Sequence, residues 1–280
     1  MPIRKYENQR VFFKKSLGQN ILTDKNIIKK IASLLQVASD DVILEIGPGL
    51  GALTDEIIKN GNEVIAIEKD TRFFDELTEK YADANISIFN EDALKFDYDI
   101  LKKKYGGRVK VVANLPYNVS TEILFMLFDR MDCFRSFLLM FQKEVAVRIT
   151  AKPSTKEYGI ISVIAQYYSR PAMVLNVPNK CFVPVPKVES TVVYFDLYDT
   201  PPFLVKDEAL FKYVVKTAFS HRRKTLLNCF KYFKHNKDTE LDMNAIFSEA
   251  DIDLKRRGET LSVEEFSRLS DTFYDHINTI

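Results

Sequence analysis

Apolar and polar positions alternate along this chain with two periods, and the order of the periods outlines the fold. From Asp24 the apolar residues Ile27, Ile28, Ile31, Leu34 and Leu35 recur at helical spacing, with Asp24 as the predicted N-cap. The run Val42-Ile43-Leu44-Glu45-Ile46 then reads as a strand feeding Gly47-Pro48-Gly49-Leu50-Gly51, after which Leu53, Ile57 and Ile58 begin a helix that stops at Asn60-Gly61. Further strands are predicted at 63–68, 86–89, 109–113 and 134–141, with helices near 71–81 and 120–131 between them. Strands alternating with helices indicate a mostly parallel, doubly wound sheet. Thr191–Phe195 reads as one more strand, open to an antiparallel setting. Thr200-Pro201-Pro202 breaks the pattern, and only helical periods follow, near 207–219, 223–234, 242–249 and 262–277. The expected division is an α/β domain over 1–200 and a small all-helical domain over 201–280.

Composition narrows the class without naming a partner. Of 280 residues 46% are hydrophobic and the formal net charge is +1, so a nucleic-acid surface must come from local clusters of Lys and Arg. Two clusters qualify: Arg4, Lys5, Arg10, Lys14 and Lys15 in an irregular N-terminal arm, and Arg222-Arg223-Lys224 with Lys231, Lys234 and Lys237 beyond. Each also reads as an ordinary solvated face. Cys133, Cys181 and Cys229 form no CxxC pair, and His221, His235 and His276 have no ligand spacing, so no metal site is expected. No apolar run approaches a membrane span, and the expected location is the cytoplasm.

Three places carry candidate chemistry. The glycine turn lets a ligand approach the backbone, and Glu68 ends the next strand about twenty residues on, where a carboxylate accepts both hydroxyls of a ribose. A dinucleotide would suit such a turn, but the third glycine comes one residue early for GxGxxG; S-adenosylmethionine, which has no phosphate, does not need the longer spacing. Asp92, after the third strand, is placed to accept from an adenine amino group; a solvated helix cap is the plain alternative. Asn114-Leu115-Pro116-Tyr117 follows the fourth strand. The N6 lone pair of adenine is delocalised, so a site helps by accepting the N6 hydrogens, from the Asn114 side chain and from a backbone carbonyl at Leu115 that Pro116 holds in direction. Tyr117 offers a face for an extruded base. Outside this setting the tetrad reads as a proline turn. Phe182, in Cys181-Phe182-Val183-Pro184-Val185-Pro186, could close the other side of the base or be a core residue.

Taken together these residues resemble the ribosomal RNA adenine dimethyltransferase family over nearly the whole chain. The shared blocks include 15–22, the turn preceded by Leu44-Glu45-Ile46, Glu68, Glu91-Asp92, Asn114–Asn118, the proline segment to Ser190, 219–226 and 257–262. The resemblance implies a Rossmann-like, seven-stranded class I methyltransferase sheet. It implies that Asn20, Leu22, Glu45, Gly47, Gly49, Glu68, Asp92 and Asn114 line the S-adenosylmethionine site. It implies that Asn114, Leu115, Tyr117 and Phe182 hold the target adenine, and that Arg222, Arg223 and Lys224 meet RNA. The implied reaction dimethylates two adjacent adenosines in the 3′-terminal hairpin loop of 16S rRNA in the 30S subunit, with a part in ribosome biogenesis and with monomer as the default state. Gly258 stands where relatives commonly carry alanine, a departure expected to matter little, and Leu227 where many carry arginine. A large-subunit RNA methyltransferase, a DNA adenine methyltransferase and a non-catalytic assembly factor are the competing readings.

Overall fold

The computed structural model describes residues 3–6, 9–12, 19–107, 109–233 and 241–278. Seven strands form one sheet: β1 Val42–Ile46, β2 Val64–Ile67, β3 Ile86–Phe89, β4 Val109–Asn114, β5 Phe134–Gln142, β6 Ser169–Val177 and β7 Ser190–Leu197, in the order β3-β2-β1-β4-β5-β7-β6. The pairs β1–β2, β1–β4, β2–β3 and β4–β5 are parallel, and β7 runs antiparallel to β5, with Ser190 opposite Gln142 and Asp196 opposite Ser136. This is the mostly parallel sheet that the pattern predicts, with the late strand resolved as antiparallel.

The central strands explain their own sequences. Every residue of β1 and β2 is buried, as is β4 up to Asn114. A parallel strand covered on both faces has no solvent side and so carries an unbroken apolar run. The edge strand β3, only partly buried, alternates Ile-Ser-Ile-Phe. Helices connect the strands: α1 Lys25–Leu34, α2 Thr54–Ile57, α3 Thr71–Lys80, α4 Asp99–Tyr105 and α5 Ser120–Phe128. Asp24 caps α1 as expected, its Oδ1 accepting the N–H groups of Asn26 and Ile27 at 3.0 and 3.1 Å. The strand order reverses direction between β1 and β4, and in open α/β sheets the ligand crevice lies at the carboxyl ends of the strands at such a point.

The chain forms two compact units, Met1–Ala146 with Pro171–Leu197, and Val147–Arg170 with Tyr198–Ile280. The boundary expected at residue 200 is thus close to one junction, while the excursion 147–170 joins the second unit. That excursion holds the end of helix α6 Lys143–Ile149 and all of α7 Ile160–Tyr168. Local periodicity identifies a helix but not which core it joins: Tyr167 of α7 lies 4.5 Å, ring to ring, from Phe211 of α8 Glu208–Ala218. The second unit continues with α9 Leu226–Phe230, α10 Met243–Glu249 and α11 Val263–Asn278, around Phe230, Phe247 and Phe273. No strand of the described residues lies beyond 197.

Two expectations for the second unit change. The helix expected over 223–234 covers only Leu226–Phe230 among the described residues, so Arg222, Arg223 and Lys224 sit in the turn before it. Gly258 is not a neutral departure: a Cβ there would stand 2.6 Å from the Ala218 carbonyl oxygen, so an alanine must push that backbone aside.

Candidate active site

The turn after β1 is built on left-handed glycines. Gly47, Gly49 and Gly51 have φ of 70°, 62° and 79°, which residues with a Cβ rarely adopt. A Cβ on Gly51 would also strike the Tyr81 hydroxyl, which donates to the Gly51 carbonyl at 3.0 Å. The backbone N–H of Gly49 instead donates to Glu68 Oε2 at 3.0 Å, and that of Asp70 to Glu68 Oε1 at 2.8 Å. Glu68 is 6% exposed, and burial raises its carboxyl above the ordinary range against those two bonds. Each oxygen keeps a second lone pair for a ligand hydroxyl.

A cleft of about 180 Å³ opens at this end of the sheet. It is lined by Asn20, Leu22, Glu45, Gly47, Gly49, Glu68, Asp92, Asn114 and Leu115, so every residue expected to hold the cofactor meets there. Among the described residues its ionisable lining is four carboxyl groups, Glu45, Glu68, Glu91 and Asp92, with Lys69. Glu45 is 2% exposed and accepts the Thr54 hydroxyl at 2.6 Å. Burial lifts it to about 7, helped by the charges of Glu68 and Asp55. Asp92 is bound from two sides, by the Lys69 ammonium at 2.6 Å and the Leu94 N–H at 3.1 Å.

On the other wall, at the end of β4, Asn114 donates through Nδ2 to the Asn20 carbonyl at 2.9 Å. A carbonyl only accepts, so the bond fixes which way round the amide sits, and Oδ1 points away from Asn20. The tetrad leads into α5 through a turn closed by Val119 N–H on the Pro116 carbonyl at 3.1 Å. Tyr117 is partly exposed and is not on the cleft lining; its hydroxyl pairs with Ser190 Oγ at 2.6 Å.

Phe182 is buried beside the cleft in this structure. It is 0% exposed, pairs across a short two-stranded ribbon with Leu22, and belongs to the apolar cluster containing Leu22, Leu138, Met140 and Val192. Those four residues line the cleft, so Phe182 stands behind its wall. Its apolar character in a proline segment suits a core and a stacking face equally, which is why sequence could not separate them.

Several side chains at the site carry no sequence signal of their own. Gln19 donates to Asp70 Oδ2 at 2.9 Å and, with the Asn114–Asn20 bond, ties the 19–22 segment to both sides of the cleft. Lys69 and Ser190 act on Asp92 and Tyr117 across 23 and 73 residues of chain. In the second unit Arg222 meets Glu259 at 3.4 Å, while Arg223, Lys224 and Lys231 are exposed and Leu227 is 51% exposed. The side chains of Arg4, Lys5, Arg10, Lys14, Lys15, Lys234 and Lys237 lie outside the described residues; the backbone of Ile3–Tyr6 pairs with Gln9–Phe12, where an irregular arm was expected. Among the described residues no group of His, Cys, Asp and Glu is arranged to hold a metal, and no helix is long and apolar enough to cross a membrane.

The family model described as ribosomal RNA adenine dimethylase matches residues 11–269. The ribosomal RNA small subunit methyltransferase A of Alkaliphilus oremlandii is 43% identical over 271 residues, covering 96% of this chain and 93% of that protein. That of Clostridium botulinum is 42% identical over 274 residues, covering 98% and 97%. Among solved structures, a dimethyladenosine transferase from Plasmodium falciparum superposes with a TM-score of 0.74 at 25% identity, over 89% of this chain and 95% of that one. The 23S rRNA methyltransferase ErmE shares the fold, with a TM-score of 0.65 at 22% identity over 90% and 98%.

Proposed function

From the premise that this chain belongs to the ribosomal RNA adenine dimethylase family, we propose that it uses S-adenosylmethionine to dimethylate N6 of two adjacent adenosines in the 3′-terminal hairpin loop of 16S rRNA within the 30S subunit. The reading includes a cytoplasmic location, a monomeric enzyme and a part in ribosome biogenesis. The names of the small-subunit relatives support the choice of 16S rRNA.

The cleft suits the methyl donor. Among the described lining residues, four carboxyl groups against one lysine favour a ligand that carries a sulfonium and an ammonium and disfavour a pyrophosphate. Glu68 takes the ribose diol on its remaining lone pairs, Asp92 the adenine amino group, and the left-handed glycines, with Glu45 behind them, let the ligand lie against backbone. Asn20 and Leu22 close the cleft from the N-terminal side. S-adenosylmethionine supplies an electrophilic methyl group when bound.

The observation that carries the reading is the fixed amide of Asn114. With Nδ2 held by Asn20, Oδ1 is an acceptor for one N6 hydrogen of the target adenine, and the Leu115 carbonyl accepts the other. Two acceptors pull the amino nitrogen toward tetrahedral geometry and return its lone pair to the reaction. Once methylated, N6 carries positive charge and sheds its proton to water without a dedicated base. Tyr117, steadied by Ser190, provides the stacking face. Phe182 backs Leu22 rather than meeting the base unless its segment shifts; Phe182→Leu keeps the apolar bulk, so a loss of turnover in a normally folded F182L would restore the ring to the base. Arg222, Arg223 and Lys224 are the RNA-facing cations of the second unit, and the first unit carries the catalytic cleft.

The test is mass spectrometry of undermethylated 30S subunits incubated with S-adenosylmethionine and the protein, with 23S rRNA in parallel. Two dimethylated adenosines in 16S rRNA are expected. Asn114→Ala should cut turnover by about a hundredfold or more while RNA binding persists. Unchanged turnover removes the role given to this side chain, and activity on 23S rRNA alone refutes the substrate.

A further inference from the structure

Among the described residues Lys69 is the cation on the cleft wall, and the function proposed above gives it no task. It follows Glu68 at the end of β2, and its ammonium reaches across to Asp92 beyond the end of β3. Asp92 is held at both oxygens: Oδ2 by Lys69 at 2.6 Å, Oδ1 by the Leu94 N–H at 3.1 Å. The Lys69 and Asp92 side chains are 57% and 22% exposed. An ion pair this open contributes little to folding, so its consequence lies in how it sets the carboxylate. Two donors from different directions stop the group from turning and leave each oxygen one more lone pair.

Resting on the reading of this cleft as the methyl-donor site, we propose that Lys69 is a positioning residue for donor specificity: it holds Asp92 as a fixed, ionised, acceptor-only group, so that the cleft takes a purine with a 6-amino group and rejects one with a 6-oxo group. An amino group donates to such a carboxylate, whereas a carbonyl oxygen meets it lone pair to lone pair. Sites built for one polar partner discriminate most strongly against a ligand that leaves them mismatched. The charged groups around Asp92 agree with this. Burial pushes its carboxyl up, but the Lys69 and Leu94 bonds and the charge of Lys95 outweigh that and hold it below the ordinary range. Glu91 precedes it and lines the same cleft, and the Tyr98 phenol lies beyond.

The test is calorimetric binding of S-adenosylhomocysteine and S-inosylhomocysteine to the full chain and to K69M, K69R, D92N and K69M/D92N. K69M should weaken S-adenosylhomocysteine about tenfold, the scale of a charge-assisted contact, and narrow its advantage over the inosine analogue. K69R should restore most of both, and in the D92N background K69M should change nothing further. Glu45 and Glu68 line the same cleft and titrate with their carboxyls raised in both proteins, so the pH readout is the ratio of the two affinities: K69M should lose more than the unaltered protein toward about pH 5, as Asp92 without its countercharge begins to take up a proton. If the unaltered protein binds S-adenosylhomocysteine and K69M binds both ligands equally well or more tightly, the role of Lys69 is overturned and the donor site stands. If the unaltered protein fails to bind S-adenosylhomocysteine, the donor site falls and Lys69 with it.

Discussion

Two buried carboxyl groups flank one strand and meet opposite fates. Asp41, just before β1, is 3% exposed; Glu45, near its other end, is 2% exposed. Asp41 has a buried partner: the Lys110 ammonium lies 2.7 Å away, the Ala38 N–H donates at 2.7 Å, and Arg135 stands at 3.6 Å. These lower its carboxyl although burial pushes it up. Glu45 has the Thr54 hydroxyl and, around it, the further acidic groups Glu68 and Asp55, with Lys80 opposing them. A buried charge with its counter-ion holds the closed end of the sheet together. A buried carboxyl group without one, facing a cavity, is a place prepared for a ligand's positive charge.

The comparison breaks most readily at Lys110. Lys110→Met leaves Asp41 buried without its main partner and should destabilise the protein by about 3–5 kcal/mol in urea denaturation, with the affinity of the folded fraction for S-adenosylhomocysteine unchanged. A loss below about 1 kcal/mol, the level of an exposed pair, would remove the distinction between the two ends. The next effect is the pH dependence of folding. Glu45 titrates near 7 in the folded chain against 4.5 in the unfolded one. The folded state therefore holds the extra proton between those values, and the contribution of Glu45 to stability is complete below pH 4.5 and lost as pH rises through about 7. The full swing is roughly 3 kcal/mol. Glu45→Gln should abolish it in denaturation measured from pH 4 to 8. Asp41 has the opposite sign, its contribution present above the usual carboxylate range and lost as pH falls through its lowered value. Smallest is Glu68→Gln, which should weaken S-adenosylhomocysteine binding about 10- to 100-fold and lower Tm a little, because an amide accepts through one oxygen only and the Gly49 and Asp70 N–H groups need two. Unchanged binding would mean that Glu68 serves the fold rather than the ligand.

The open end of the sheet was the more legible in sequence. A glycine turn between a strand and a helix, an acidic residue after the next strand and an Asn-Leu-Pro-Tyr after the fourth are all local patterns, and the parallel topology brings them to one crevice. The closed end was not: Lys110 sits inside an apolar run, and nothing near it in the chain says that its partner is Asp41. Long-range choices escaped in the same way. The excursion 147–170 reads as helix without revealing which core receives it. Gly258 reads as a tolerable variant until the Ala218 carbonyl is seen against it, and Phe182 reads equally as a stacking ring or a core residue until its buried neighbours are seen.

The amide of Asn114 has a direction, since one end grips the chain and the other is left for the substrate. Hydrolysis of that amide to a carboxylate, a change of one dalton in nearly the same shape, would present an oxygen to the Asn20 carbonyl where a nitrogen had been. The N-terminal segment would lose its tie to this wall, keeping those of Gln19 to Asp70 and of Leu22 to Phe182, and the enzyme would fall silent while remaining folded. Ageing of the purified protein should therefore show activity declining in step with acid formation at this position in peptide mass maps, and activity that outlasts the conversion would show that the latch does not matter.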